Sequence, residues 1–312
     1  MHRWTGLALA LAFVSLPAAL PADESPAVPD VPGAEPKPAV VKLPAGDTDP
    51  VAIINGHPIT KAEFVQRLAE WHGPSVLDEM ITRALVDQET KRHGVTNSAE
   101  EVNQRVDLQV KLAEEKVRQE SGGQVKLAEV LQQKGETVEG FRNLLIHNDN
   151  FQKQIVLEKL VQYSILTEEM VEVQHLVVEN EAKAREALDK IRKGADFAKI
   201  AQEMSEDTLS GAQGGKMHPF ILGLSPMGIQ FDEIAFKLKD GETSDVVRTG
   251  RGFHIVRKLS TRAATPKTYT ELRENVWKCL ETQPIHKRVL MAWLYRLRYL
   301  HRDKTDVKLK WK

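Results

Sequence analysis

Two histidines set the terms for any chemistry in the second half of this 312-residue chain. His175 sits in the run Val173-Gln174-His175-Leu176-Val177-Val178, and His254 in Gly252-Phe253-His254-Ile255-Val256. Both runs read as strands. Between them stand groups that could join the imidazoles: the acidic step Ser205-Glu206-Asp207, the hydroxyl of Thr249, the Gly214-Gly215 turn, and the apolar side chains of Met227 and Phe231. Imidazoles, a carboxylate and a hydroxyl can share hydrogen bonds at neutral pH. Other readings fit the same residues. The histidines could be hydrogen-bonded core residues, and Met227 with Phe231 is ordinary core spacing. His175, His218 and His254 could hold zinc, although no close i, i+4 pair supports it. Ser205, Asp207 and His175 could form a hydrolase triad, but no strand–turn nucleophile elbow accompanies them.

These side chains need a frame, and the pattern from Val171 to Leu259 supplies one. Helical spacing covers Glu181–Arg192, with Gly194 placed for its C-terminal cap. Asp196 suits the N-cap of a short helix over Phe197–Met204. A third helix fits 231–238, and a hairpin fits 244–249 with 252–259 around Gly250-Arg251. Alternation puts Phe253 on the strand face opposite His254, in the core. Helices interleaved with a small antiparallel sheet make an α+β module.

Lysine plus arginine (43) nearly cancel aspartate plus glutamate (44), so no global field selects nucleic acid. Aromatics are scarce at 6% while charge is 28%, a balance that suits long solvated helices. His2 and Arg3, an apolar run over 7–14 and small residues at Ala18, Ala19 and Ala22 read as a signal peptide over 1–22. The run is short of the about 20 residues a membrane span needs. An uncleaved N-terminal anchor is the other reading, and no nearby cysteine could carry a lipid. Recurrent prolines make 23–50 a disordered tether. The single cysteine, Cys279, can form no internal disulfide and reads as a buried apolar filler.

Order is expected from 51–56, a strand ending at Asn55-Gly56, followed by a capping box at Thr60 and Glu63. Helices then fit Ala99–Glu120, 126–134 and 138–161. After a Thr/Ala/Pro linker come helices over 270–281 and 285–302, separated at Pro284. The tail 307–311 alternates apolar and basic residues and is predicted to pair as an edge strand with 51–54. The expected partition is therefore a helical domain over 51–168, the α+β module over 169–261, and 262–312 completing the helical domain.

The block 171–259 resembles the parvulin-type (PpiC, rotamase) peptidyl-prolyl cis/trans isomerase domain. The resemblance rests on ordered motifs: His175, the Gly194-Ala195-Asp196-Phe197-Ala198 step, Asp207, Gly214-Gly215, Met227, Phe231, Gly241-Glu242-Thr243-Ser244 and His254. The stretch 51–60 and the flanking helices are similar to exported chaperone-isomerases of the SurA and PrsA kind. The resemblance implies paired histidines at the floor of the site, Asp207 where relatives carry cysteine or aspartate, and Thr249 in the same hydrogen-bond network. It also implies a proline pocket of Met227 and Phe231 with Leu176 beside it. Lys216-Met217-His218 departs from the usual Asp-Leu-Gly after the glycine pair, and Gly228 stands where glutamine is frequent. Glu179-Asn180-Glu181 carries no basic cluster, which argues against a phosphoserine-proline preference.

The implied activity is prolyl isomerisation assisting exported proteins, with no nucleophile, metal or small-molecule cofactor required. Its partners would be unfolded or proline-containing exported polypeptides and no nucleic acid, and a homodimer stays open. The alternative is a holdase chaperone whose isomerase domain is weakly active or inert.

Overall fold

The computed structural model describes residue 43 and residues 45–301. The export segment, most of the tether and the tail predicted to pair with 51–54 lie outside the described residues. The chain divides into two compact units at Leu85. In the first, β1 (Pro50–Ile54) and β2 (His57–Thr60) form an antiparallel hairpin. Asn55 and Gly56 both have positive φ (51° and 84°), the twist that a two-residue hairpin turn requires. The residues just before β1 are not tether: Asp47 and Asp49 accept the backbone N–H groups of Ala62 and Lys61, both at 2.9 Å. These contacts cap α1 (Lys61–His93), whose first turn also carries the expected Thr60–Glu63 box.

The second unit contains a helical body and the α+β module. α2 (Ala99–Glu120) turns Val102, Val106, Val110 and Val117 inward at helical spacing. α3 (Leu127–Gln133), α4 (Val138–Ile146) and α5 (Asp149–Thr167) close the cluster with Leu131, Leu145 and Ile155. The single helix expected over 138–161 is two helices, because the Asn148 side chain accepts the Phe151 N–H at 2.9 Å and starts a new one. Trp277 from α10 (Tyr269–Thr282) packs on the same cluster, so segments from both ends of the chain build one body. Lys159, fully buried on α5, pairs at 2.8 Å with Glu101 of α2, which also pairs with Arg273 of α10. Cys279 is half-buried, not fully enclosed as its spacing suggested. No helix among the described residues is long and apolar enough to cross a membrane.

The module is a four-stranded antiparallel sheet in the order β4-β3-β6-β5, built from β3 (Met170–Val178), β4 (Phe220–Ile221), β5 (Val247–Thr249) and β6 (Gly252–Arg262). One face is covered by α6 (Glu181–Arg192) and α7 (Phe197–Met204), which pack on Leu176, Val178 and Ile255. The other face packs Val171, Val173 and Val256 against α9 (Ile229–Lys237) through Phe231 and Ala235. β4 and the short α8 (Thr208–Gly211) are additions to the expected elements.

Candidate active site

β3 and β6 are central neighbours, with His175 opposite Val256 and Val177 opposite His254. The histidines are therefore diagonal partners on one face, a separation that side chains of this size can bridge. Their rings stack with centroids 5.9 Å apart and 19° between planes. Phe231 meets both edge-on, at 5.7 Å from His175 and 5.4 Å from His254. All three side chains are fully buried. Met227 is half-buried at the edge of the same apolar cluster.

The outer nitrogen of each ring is held by a polar neighbour. Thr249, next to the β5–β6 turn, places its Oγ1 2.8 Å from His254 Nε2, and the same oxygen accepts the Arg251 N–H at 3.1 Å. Asp207 Oδ2 lies 3.2 Å from His175 Nε2. Ser210 joins them: its hydroxyl donates to Asp207 Oδ2 at 2.7 Å and its oxygen sits 2.9 Å from His175 Nε2. An ionised carboxylate beside Nε2 selects the tautomer with its proton there. Both Nδ1 atoms are buried with no protein partner among the described residues.

Burial holds the His175 imidazole below its ordinary pKa, against the opposing pull of Asp207. Burial, then the neighbouring His175 and Arg251, push His254 down to about 4. Both rings are neutral at pH 7. For Asp207 burial acts upward, but the Ser210 hydroxyl, His175 and the Ser210 and Leu209 amides outweigh it and hold the carboxyl below its usual range. The site is thus a dry aromatic floor with fixed hydrogen-bonding groups on opposite sides.

The Gly214-Gly215 turn positions this arrangement. Gly215, at φ 79°, accepts the His175 N–H at 2.8 Å, and a Cβ there would lie 2.3 Å from the His175 carbonyl oxygen. The Gln174 side chain donates to the Gly214 oxygen at 2.9 Å, and Met217 N–H to the Val173 oxygen at 3.0 Å. The altered rim from Lys216 onward thus starts as a rung on β3 itself.

The structure gathers His175, Asp207, His254, Thr249, Met227 and Phe231 in one place. It does not bring Leu176 to them. Leu176 follows His175 by one residue, so its side chain points to the other sheet face and packs with α6 and α7 as core. Ser210 escaped the sequence reading, because one serine three residues past an aspartate is a common helix-start pattern. Ser205, the serine weighed for a triad, instead accepts the Val177 N–H at 3.3 Å. Ser210, His175 and Asp207 do not make a triad either: serine and carboxylate share the same ring nitrogen, whereas a triad needs them on opposite nitrogens. His218 is exposed on the rim, and among the described residues no group of three His, Cys, Asp or Glu side chains is arranged to hold a metal.

A PPIC-type peptidyl-prolyl isomerase (rotamase) domain matches residues 169–260. Foldase protein PrsA of Geobacillus kaustophilus is 33% identical over 226 residues, covering 71% of this chain and 73% of its own. Foldase protein PrsA 2 of Bacillus cereus is 31% identical over 238 residues, covering 75% of this chain and 76% of its own. A crystal structure of a peptidylprolyl isomerase (PrsA) from Bacillus anthracis is similar at 26% identity and a TM-score of 0.36, over 73% of this chain and 97% of that one.

Proposed function

This chain belongs to the PrsA foldase family and is a peptidyl-prolyl cis/trans isomerase that assists the folding of exported proteins; we propose that its catalysis is non-covalent and centred on His175, Asp207, His254 and Thr249. Phe231 and Met227 would receive the proline ring. The observation that carries this is the stacked pair of neutral histidines over Phe231, each with its outer nitrogen fixed by a side chain.

A prolyl amide resists rotation by ~18–20 kcal/mol because nitrogen and carbonyl share a π system, and X-Pro bonds turn over in tens to hundreds of seconds unaided. Twisting the bond ends that sharing. The carbonyl becomes less polar and the nitrogen more basic, so a dry pocket favours the twisted amide over the planar one. An aromatic floor holds the ring while the preceding chain turns. Asp207, Ser210, Thr249 and the two histidines offer hydrogen bonds that can select the twisted geometry. Each ~1.4 kcal/mol of such selectivity gives a tenfold rate gain. No covalent step is needed, and the neutral imidazoles suit hydrogen bonding better than proton transfer.

Protease-coupled turnover of an Ala-Pro peptide by the full chain tests this assignment. Asp207→Ala and His254→Ala should each lower kcat/KM about tenfold or more at unchanged fold content. Wild-type turnover in both variants would remove these residues from the mechanism.

A second activity is supported by apolar side chains left in solvent on the hairpin and α1, notably Ile53 (65% exposed), Trp71 (69%) and Met80 (60%). They favour a holdase role that retains unfolded segments beside the isomerase. Suppression of client aggregation that survives His254→Ala would separate the two activities. Export through a signal peptide over 1–22, and the partition into 51–168, 169–261 and 262–312, belong to the same proposal. Mass spectrometry of the mature protein tests the first, and limited proteolysis the second.

A further inference from the structure

The pocket residue Met227 lies near the end of a loop, 222–228, that is gripped from two sides. On one side stands Asp232, the residue after Phe231 on α9 and fully buried. Its Oδ2 accepts the Gly223 N–H at 2.7 Å and the Ser225 N–H at 3.2 Å, and its Oδ1 accepts the Ser225 hydroxyl. Ser225 Oγ in turn accepts the Met227 N–H at 3.1 Å. One carboxylate thus ties the loop to the helix that carries the pocket floor.

On the other side stands Arg296 of α11 (Lys287–His301), only 9% exposed. A Cβ on Gly223 would lie 2.7–2.8 Å from Cβ, Cγ and Cδ of Arg296, so the arginine stem occupies the space a side chain would need. Gly223 has φ 84°, where glycine is favoured, and the bare Cα is what admits the stem. The guanidinium is fixed by both oxygens of Glu168, at the end of α5, through Nη1 at 3.2 Å and Nη2. α11 buries Leu290, Trp293, Leu294 and Leu297, and it is tied to α5 where Trp293 Nε1 donates to Ser164 Oγ at 3.2 Å. Tyr299 adds a hydrogen bond to Glu233 of α9 at 2.7 Å.

We propose that Arg296 is a positioning residue for the proline pocket: its stem wedges the 222–228 loop against Asp232, so the C-terminal helix sets how firmly the isomerase site holds its substrate. The inference rests on the isomerase reading and assigns a substrate-holding role to a helix that contributes nothing to the histidine pair. A residue acting this way alters substrate affinity more than the turning step, because the histidines, Asp207 and Thr249 stay where they are.

The test uses the full chain carrying Arg296→Ala, Arg296→Met or, from the loop side, Gly223→Ala. Steady-state turnover of an Ala-Pro tetrapeptide anilide gives kcat and KM, and hydrogen exchange by mass spectrometry reports on segment 221–229. Arg296→Ala and Gly223→Ala should each raise KM about fivefold, with kcat within about twofold, and speed exchange of that segment. Arg296→Met keeps most of the stem without the charge and should restore both KM and exchange. Unchanged KM and exchange in Arg296→Ala overturn the proposal, as does a fall in kcat that tracks the folded fraction and is not relieved by methionine. If the wild-type chain shows no turnover the isomerase assignment fails, and the exchange comparison still decides whether Arg296 holds the loop.

Discussion

Gly215→Ala should damage turnover far more than one methyl group suggests. Gly215 holds φ at 79°, a region that costs an L-residue roughly 1–2 kcal/mol. The new Cβ would start 2.3 Å from the His175 carbonyl oxygen, while ordinary contact begins at 3.4 Å. The obstacle is backbone in a central strand, so the turn must retreat by about 1.1 Å. That retreat stretches the 2.8 Å bond from His175 N–H to the Gly215 oxygen, a hydrogen bond worth ~1 kcal/mol net. Together these give a loss of about 2–3 kcal/mol in stability. The retreating turn no longer holds the His175 backbone in place, and a misplacement near 1 Å at reacting groups costs on the order of a hundredfold in rate. Urea denaturation and protease-coupled turnover, measured on the same preparation, separate the two effects. Turnover should fall about tenfold to a hundredfold at a urea concentration of zero, where the variant is still folded. A variant with the wild-type midpoint and wild-type turnover would refute the claim that this turn is pinned against β3.

Other perturbations test separate parts of the structure. Ser210→Ala removes the hydroxyl bridging His175 and Asp207 and should lower kcat/KM about tenfold in the same assay, since hydrogen bonds to charged groups are worth ~1.5–3 kcal/mol. For pH, His254 is lowered from 6.5 to about 4, so the unfolded chain binds the extra proton and stability falls as pH drops through that window. Burial raises Asp232 from 3.8 to about 6, so there the folded state binds the proton and stability falls as pH rises. At ~1.4 kcal/mol per pH unit the Asp232 slope offsets most of that of His254 between pH 7 and 5, while the His175 imidazole, which burial also lowers, adds to the loss on the acid side. Asp232→Asn leaves the histidine slope uncovered and should lose about 2 kcal/mol over that range, read from urea midpoints; a flat profile refutes the burial of a neutral His254. Lys159→Met leaves Glu101 buried with Arg273 and the Ser98 N–H but without its lysine, and should cost about 3 kcal/mol, whereas an unchanged thermal midpoint would mean that this pair does not join α2, α5 and α10.

The parts of the fold legible in the sequence are those whose cause is local. The Asn55-Gly56 turn, the Thr60–Glu63 box and the Asp196 cap each satisfy backbone groups within a few residues, and each appears where expected. The break at Asn148 is equally local, but the apolar spacing runs through it, so periodicity alone merges α4 with α5. The two-residue β4 has no periodicity to detect; it exists because Phe220 and Ile221 reach the exposed edge of β3. Leu176 shows the limit of matching motifs: alternation along a strand separates it from its neighbour His175 whatever the family pattern suggests.

By itself the sequence determined the groups on offer: two strand histidines, an aspartate, a threonine, and a methionine and phenylalanine four apart, in an order that resembles the parvulin-type isomerases. Pair register is a property of two strands at once. Only the tertiary structure therefore decided that His175 and His254 stack over Phe231 instead of facing different sheet faces. It also decided which polar groups serve them, bringing in Ser210 and leaving Ser205 to the backbone. The longest reach is that of Arg296, which lies more than seventy residues from Gly223 in the chain yet fills the space its missing side chain leaves. Local propensity carries no trace of such a contact, because it arises only once a helix from the end of the chain packs against a loop from its middle.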